Sequence, residues 1–350
     1  MKKNILVVDD SALMRRVICD IINTDGTFQA NDVCRDGLEA YEKLKTTKYA
    51  GVILDVNMPR MDGLQLLEKL QQDKIKATVI MVSTQTTKDA DVTIRAMERG
   101  AIDFVEKPTN IVEAKGESFR NRLLDVLSAV LRTERENLTM QTQKPEVVLR
   151  RQKPVAKSGN LIVALACSTG GPKALQSVIP KLPKNLNAPV VLVQHMPVGF
   201  TKSMAERLDT TSPIRVKEAE EGDVLQKGTV YIAPGGKHME VVKCAGGHKI
   251  ALNEMPPIGG LRPCANITYD SLKTSGYDEV VCVVLTGMGA DGTNGILSLA
   301  KSKPVHVIAQ NAQTCVVYGM PKAIAESGMV DEVVPLEDVA QTIIKNVGVQ

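Results

Sequence analysis

Short apolar runs that stop abruptly at a polar or charged residue recur along this chain, and helix-period segments separate most of them. In the first part the runs are Asn4–Val8, Gln29–Cys34, Gly51–Leu54, Thr78–Val82 and Asp103–Val105. The segments Ser11–Asn23, Gly37–Lys45, Asp62–Gln72 and Thr87–Arg99 between them are amphipathic at helical spacing. Strands that are apolar on both faces and joined through helices form a parallel sheet covered on both sides. The pattern resumes at Asn160, with Leu161–Ala166, Pro189–Gln194, Thr229–Ala233, Glu279–Leu285 and Val305–Ala309 as strands. Val241–Val242 and Lys249–Leu252, joined through Ala245-Gly246-Gly247-His248, predict a β-hairpin within this second α/β unit.

From Ser118, Leu123, Leu124, Leu127, Val130 and Leu131 mark one amphipathic helix. Thr139–Gly159, with Gln, Lys, Arg, Pro145 and Pro154, then reads as an exposed linker. The expected division is a first domain over 1–125, a helical and polar linker over 126–157 and a second domain over 158–348, which suits a chain of 350 residues.

Composition narrows the function classes. Aromatic residues are 3% and Trp is absent, which disfavours a stacking platform for single-stranded nucleic acid, and a net charge of +3 points to no polyanion partner. The seven cysteines form no CxxC pair and several lie in apolar runs, as expected of reduced thiols in a cytoplasmic protein. Asp9-Asp10 ends the first apolar run too early for a signal peptide, and no run approaches the roughly 18 residues of a membrane span. No nucleic-acid partner and no direct membrane insertion are expected.

Function in an open parallel sheet sits at the carboxyl ends of the strands. In the first domain those ends carry Asp9-Asp10, Asp55, Ser83-Thr84 and Lys107-Pro108. A single Asp at a strand end is ordinarily a helix cap, and a Lys-Pro a loop. Together, converging carboxylates suit a hard divalent cation such as Mg²⁺, whose octahedron a phosphoryl oxygen would complete. The Lys and the hydroxyl could then bond the remaining phosphoryl oxygens.

ILVVDDSALMRR, ILDVNMPRMDG, VIMVST and DFVEKP resemble the receiver domains of two-component response regulators. The resemblance implies a doubly wound (βα)5 fold and Asp55 as acceptor of a phosphoryl group from a histidine kinase. It implies that Asp10, with Asp9 through water, holds Mg²⁺ together with Asp55 and the backbone carbonyl of Asn57. It further implies that Lys107 pairs with the phosphoryl group, Ser83 bonds it, and Phe104 reorients on switching. The family often has Glu where Asn57 stands, a change that leaves a backbone role intact.

In the second domain the strand ends carry Cys167-Ser168-Thr169-Gly170-Gly171-Pro172, His195-Met196-Pro197 and Thr286-Gly287-Met288-Gly289-Ala290-Asp291-Gly292. Singly these read as a phosphate loop or helix cap, a structural histidine and a turn former. As a set on one sheet edge, Ser, His and Asp supply nucleophilic acyl transfer. Ser168 would attack, His195 would be its base and Asp291 would orient the imidazole. Backbone N–H groups near Thr169 and Met288 are candidate oxyanion donors.

ALACSTGGPKAL, VVLVQHMPVGFTKSMAERL, EAEEGDVLQKGTVYIAPGGKHMEV, VVLTGMGADG and QTCVVYGMPKA resemble the effector domain of the chemotaxis protein-glutamate methylesterases, the CheB family. The resemblance implies a parallel-sheet, Rossmann-like hydrolase domain with Ser168, His195 and Asp291 as its triad and no cofactor there. It implies methanol release from glutamate γ-methyl esters of methylated chemoreceptors, and receptor glutamine deamidation by the same acyl-enzyme chemistry. The chain departs from the family pattern at Cys167, usually Gly or Ala. It departs again at Cys264-Ala265-Asn266, usually Ser-Val-Asp, and along Gln310–Cys315, where Asn311 and Ala312 stand for Asp and Glu. These changes are expected to remove acidic groups from the rim of the active site.

His238 could touch the site or be a plain loop histidine, and His248 and His306 lack ligand spacing. Cys167 should point into the core, opposite Ser168. A DNA-binding effector is disfavoured by the absence of a helix-turn-helix segment. The alternative to an esterase is a weakly active module that mainly docks on receptors. An inhibitory receiver that covers the Ser168 pocket until Asp55 is phosphorylated is the expected control.

Overall fold

A computed structural model describes residues 2–84, 86–140 and 159–350. The chain divides into two compact units, Met1–Glu136 and Asn137–Gln350. In the first, β1 (Lys3–Val8), β2 (Phe28–Cys34), β3 (Gly51–Asp55), β4 (Val79–Ser83) and β5 (Asp103–Glu106) form a parallel sheet in the order β2-β1-β3-β4-β5. The helices are α1 (Ala12–Thr24), α2 (Gly37–Thr46), α3 (Gly63–Gln72), α4 (Thr87–Glu98), the short α5 (Ile111–Ala114) and α6 (Glu117–Met140). Polar residues after the strands start several helices by capping their free N–H groups: Ser11 for α1, Asp36 for α2 and Asp62, in a capping box with Gln65, for α3. The strand order reverses between β1 and β3, so Asp9 and Asp55 flank the switch point, where such sheets open a crevice.

The helix α6 runs through the boundary expected at 125. Its Leu131 is fully buried, and a Cβ on Gly51 of β3 would lie 3.2 Å from it, so this part of the helix belongs to the core of the first unit. The expected linker therefore begins as helix, and its residues 141–157 lie outside the described residues.

The second unit contains, in chain order, β6 (Leu161–Cys167), α7 (Gly171–Val178), β7 (Val190–Gln194), α8 (Phe200–Thr211), β8 (Arg215–Glu218) and β9 (Thr229–Ile232). It continues with β10 (His238–Cys244), β11 (Gly247–Asn253), α9 (Ala265–Ser271), β12 (Glu279–Val284) and α10 (Thr293–Leu299). β13 (Val305–Gln310), α11 (Met320–Glu326), β14 (Glu332–Val334) and α12 (Val339–Val347) complete it. Seven strands pair in parallel in the order β14-β13-β12-β6-β7-β9-β8. β10 and β11 form the antiparallel hairpin, closed by the Cys244–Gly247 pair around Ala245-Gly246, a tighter turn than the sequence suggests. The edge strands β8 and β14 escape the sequence pattern because edges are short and partly solvated, so they lack a long apolar run.

β6 lies centrally, between β7 and β12, which places the segments ending in Ser168, His195 and Asp291 on adjacent strands. Tyr269 of α9, 2% exposed, locks this arrangement: its hydroxyl lies 3.2 Å from Ala164 O on β6 and 3.1 Å from Val283 O on β12. Replacing Tyr269 by Phe should destabilise the second unit by about 1 kcal/mol, the usual net worth of one buried hydrogen bond. Denaturant unfolding of the two proteins side by side checks this.

Candidate functional site

In the first unit, one oxygen each from Asp9, Asp10 and Asp55 lie within 4.8 Å of one another. Lys107 Nζ sits 2.8 Å from Asp9 Oδ2 and 2.8 Å from Asp55 Oδ2. The contact to Asp55 is a hydrogen bond. The one to Asp9 is an ion pair without hydrogen-bond alignment, and it leaves the buried Asp9 Oδ2 with an unused acceptor. Burial, followed by the neighbouring Asp9, pushes the Asp55 carboxyl up to about 6. Burial works against the charge of Lys107, but Asp55 and Asp9 outweigh it and the ammonium is held more tightly than usual. The Lys107 ammonium contacts two of the three carboxylates, and a hard divalent cation with oxygen preference fits the charge that remains.

The other residues singled out in this domain lie close by with different partners. Ser83 is fully buried, and its hydroxyl accepts from Thr93 Oγ1 at 2.7 Å, on α4. Asn57 is exposed, and its side chain donates to Asp89 Oδ1 at 2.7 Å, while Thr84 bonds the other oxygen of Asp89. Phe104 is 5% exposed. Sequence reasoning missed Arg15, whose guanidinium donates to Asp9 O at 2.8 Å and Asp10 O at 3.0 Å and so fixes the acidic loop from α1.

In the second unit Ser168 follows β6 directly. Its N–H donates to Thr286 O at 3.0 Å, and the N–H of His195 donates to Cys167 O at 3.2 Å. The turn is packed too closely for side chains. A Cβ on Gly287 would lie 2.9 Å from Ser168 Cβ and 2.3 Å from Met320 Sδ. Gly170, at φ +76°, would put one 2.5 Å from Val316.

His195 Nε2 lies 2.8 Å from Asp291 Oδ2. Asp291 is 9% exposed, and burial opposes its charge. His195 and the donors from Ala265 and Cys264 more than offset this and hold the carboxyl down at about 2. Asp291 is therefore ionised near neutral pH, so Nε2 of a neutral His195 carries the proton and Nδ1 bears the lone pair. No hydrogen bond joins Ser168 Oγ to His195 among the described residues; the two are neighbours through the β6–β7 pairing.

Among the described residues, neither the Thr169 nor the Met288 N–H donates to a backbone carbonyl. Thr169 Oγ1 is buried with no partner among those residues. Met288 is 37% exposed.

Several supporting residues escape a reading of motifs. Gln194, 2% exposed, donates from Nε2 to Ser168 O at 3.0 Å and to His195 O at 3.2 Å, tying the two strand ends together. The Cys167 thiol, fully buried and pushed up by that burial, donates to Gln194 Oε1 at 3.0 Å. A polar residue closing an otherwise apolar strand was the one signal for Gln194.

Of the departures at 264–266 and 310–315, Asn266 and Asn311 are half-buried and Gln313 is exposed. Cys264, Ala265, Ala312 and Cys315 are buried. Asn311 closes a turn by accepting from Thr314 N and Oγ1. His238 is fully buried with Nε2 3.3 Å from Pro256 O, and His248 and His306 bond Gly276 N and Glu332.

Comparison with known proteins bears on this geometry. Residues 163–343 match the family model described as CheB methylesterase, and residues 5–115 match the response regulator receiver domain. The chain is similar to a protein-glutamate methylesterase/protein-glutamine glutaminase of Pyrococcus horikoshii, 43% identical over 348 residues, covering 99% of this chain and 94% of the relative. It is similar to a protein of the same description from Bacillus subtilis, 42% identical with 97% of each chain covered. It also resembles the crystal structure of the Thermotoga maritima CheB methylesterase catalytic domain. That match is 44% identical with a TM-score of 0.51 and covers 54% of this chain and 98% of that one.

The raised Asp55 carboxyl has a measurable consequence. Its folded value, about 6, lies above the ordinary 3.8, so the folded unit keeps a proton that the unfolded chain releases. Stability should fall as pH rises from about 4 to 6 and stay lowered above that. Asp55→Asn should abolish this slope and stabilise the first unit near neutral pH by on the order of 2 kcal/mol. Thermal unfolding between pH 4 and 8, without added divalent cation, measures both effects.

Proposed function

The chain belongs to the CheB methylesterase family, with a receiver domain at its N-terminal end, and on that premise we propose that Ser168, His195 and Asp291 are its catalytic residues and Asp55 its regulatory phosphoacceptor. The enzyme hydrolyses γ-methyl esters of protein glutamates, with glutamine deamidation as a second outlet of the same chemistry. Its substrates are methylated chemoreceptors, its phosphodonor is the histidine kinase of the same signalling system, and it works in the cytoplasm. The seven free cysteines accord with that compartment.

The observation that carries the catalytic reading is the 2.8 Å contact between His195 Nε2 and Asp291 Oδ2, one strand away from a serine at a glycine-bounded strand end. With Nε2–H committed to Asp291, Nδ1 takes the Ser168 proton as Oγ attacks the ester carbon. The N–H groups of Thr169 and Met288 receive the developing oxyanion, and the unpartnered Thr169 hydroxyl lies next to the nucleophile in sequence. The imidazolium returns its proton to the departing methoxide, and methanol leaves. Water, deprotonated by Nδ1, then attacks the acyl-enzyme; glutamate is released and the proton returns to Ser168. With a glutamine side chain the leaving group is ammonia.

In the receiver, Asp9, Asp10 and Asp55, with the carbonyl of Asn57, would hold Mg²⁺, which when bound neutralises carboxylate charge and that of the phosphoryl group. Lys107 is already within 2.8 Å of Asp55 and would follow the phosphoryl oxygens. Ser83 would exchange its bond with Thr93 for one of them, and Phe104 would move as that side of the sheet adjusts. Phosphorylation must change the balance between active and inhibited states by a few kcal/mol to act as a switch.

Ser168→Ala should abolish methanol release from methylated receptor membranes while leaving the thermal transition in place; retained activity would move the nucleophile elsewhere. A small phosphodonor should accelerate the wild type and leave Asp55→Asn at its basal rate. Equal responses of the two proteins would remove Asp55 from control.

A further inference from the structure

The loop after β12 delivers Asp291, but a separate segment at the start of α9 holds it. Its two oxygens take five donors. Oδ2 accepts from His195 Nε2 at 2.8 Å and Ala265 N at 2.6 Å. Oδ1 accepts from Cys264 Sγ at 3.1 Å, Asn266 N at 3.0 Å and Gly292 N at 2.9 Å. Asn266 contributes twice, since its side-chain Oδ1 also accepts from Gly292 N at 3.1 Å and Gly295 N at 2.7 Å. The N–H of Gly292 therefore lies between Asn266 Oδ1 and Asp291 Oδ1.

A carboxylate at 266 could accept the same two N–H groups, but it would share the Gly292 N–H with Asp291 as a second negative charge. The amide supplies the same acceptor without charge. Among the described residues, the other titratable groups that face Asp291 are His195, the Cys264 thiol and the Tyr269 phenol. Burial, and then Asp291 itself, pushes Cys264 up to about 12, and burial raises Tyr269, so both stay neutral.

Resting on the assignment of Ser168, His195 and Asp291, we propose that Asn266 is a positioning residue that locks Asp291 in place while leaving it the one negative charge against His195, and that it thereby extends the esterase toward acidic pH. A second carboxylate would stabilise the imidazolium, which cannot accept the Ser168 proton, and the base would be free only at higher pH. The pattern of the family has Asp at this position, so the inference concerns what this chain's own residue changes.

The test uses the full chain with a small phosphodonor and methylated receptor membranes, following kcat/KM for methanol release from about pH 5.5 to 9. Asn266→Asp should move the acid limb upward by about one pH unit, a loss of about tenfold near pH 6 with little change near pH 9. Asn266→Ala should lower kcat throughout with the limb in its wild-type place. A profile for Asn266→Asp that superimposes on the wild type, or falls equally at every pH, overturns the inference. So does failure of this isosteric variant to fold, since the carboxylate is taken to accept the same two N–H groups. Ser168→Ala is measured alongside: if it releases methanol as the wild type does, the catalytic assignment itself fails; if it is inactive, the Asn266 profiles bear on the present inference alone.

Discussion

The N–H of Ser168 donates to Thr286 O, and that of His195 to Cys167 O. These two bonds extend the β12–β6–β7 ladder one residue beyond the strands and set the spacing of everything above them. Gln194 reinforces the same joint from inside by bonding the carbonyls of both Ser168 and His195. The glycines nearby are required by close packing, since a Cβ at 170 would meet Val316 and one at 287 would meet Met320 and Ser168. Ser168 and His195 are thus brought together by backbone geometry.

The two units handle buried carboxylates in opposite ways. Asp55 faces Asp9 and Asp10 with one ammonium among them, and its carboxyl is pushed up to about 6. Asp291 accepts from His195 and from four further donors, and it is held at about 2. The first arrangement is short of positive charge, and its oxygen donors fit a hard divalent cation. The second is saturated, which fixes the carboxylate and the face it turns to His195.

The departures from the family pattern take their meaning from this contrast. Cys264 and Asn266 belong to the saturated shell around Asp291, and Cys167 orients Gln194. As sequence, only Asn266 among them reads as an acidic group lost, since Cys264 stands for Ser and Cys167 for Gly or Ala. In the structure Cys264, Ala265 and Asn266 bond Asp291, because the start of α9 packs against the start of α10 and brings residues 264–266 onto it.

The sequence by itself determined that there are two parallel-sheet units, where most of their strands lie, and which chemical groups end those strands: the acidic pair, Asp55 and Lys107 in one, Ser168, His195 and the Asp291 loop in the other. Apolar runs buried on both faces and closed by polar residues carry that information locally. It could not supply the order of the strands, the edge strands β8 and β14, or the partners of Asp291. Those depend on contacts between residues far apart in the chain, such as Gln194 with Ser168 and Asn266 with Gly292, whose side chains have no periodicity to reveal them. Only the tertiary structure decided which nitrogen of His195 meets Asp291, since that choice rests on where α9 and the β12 loop converge in space.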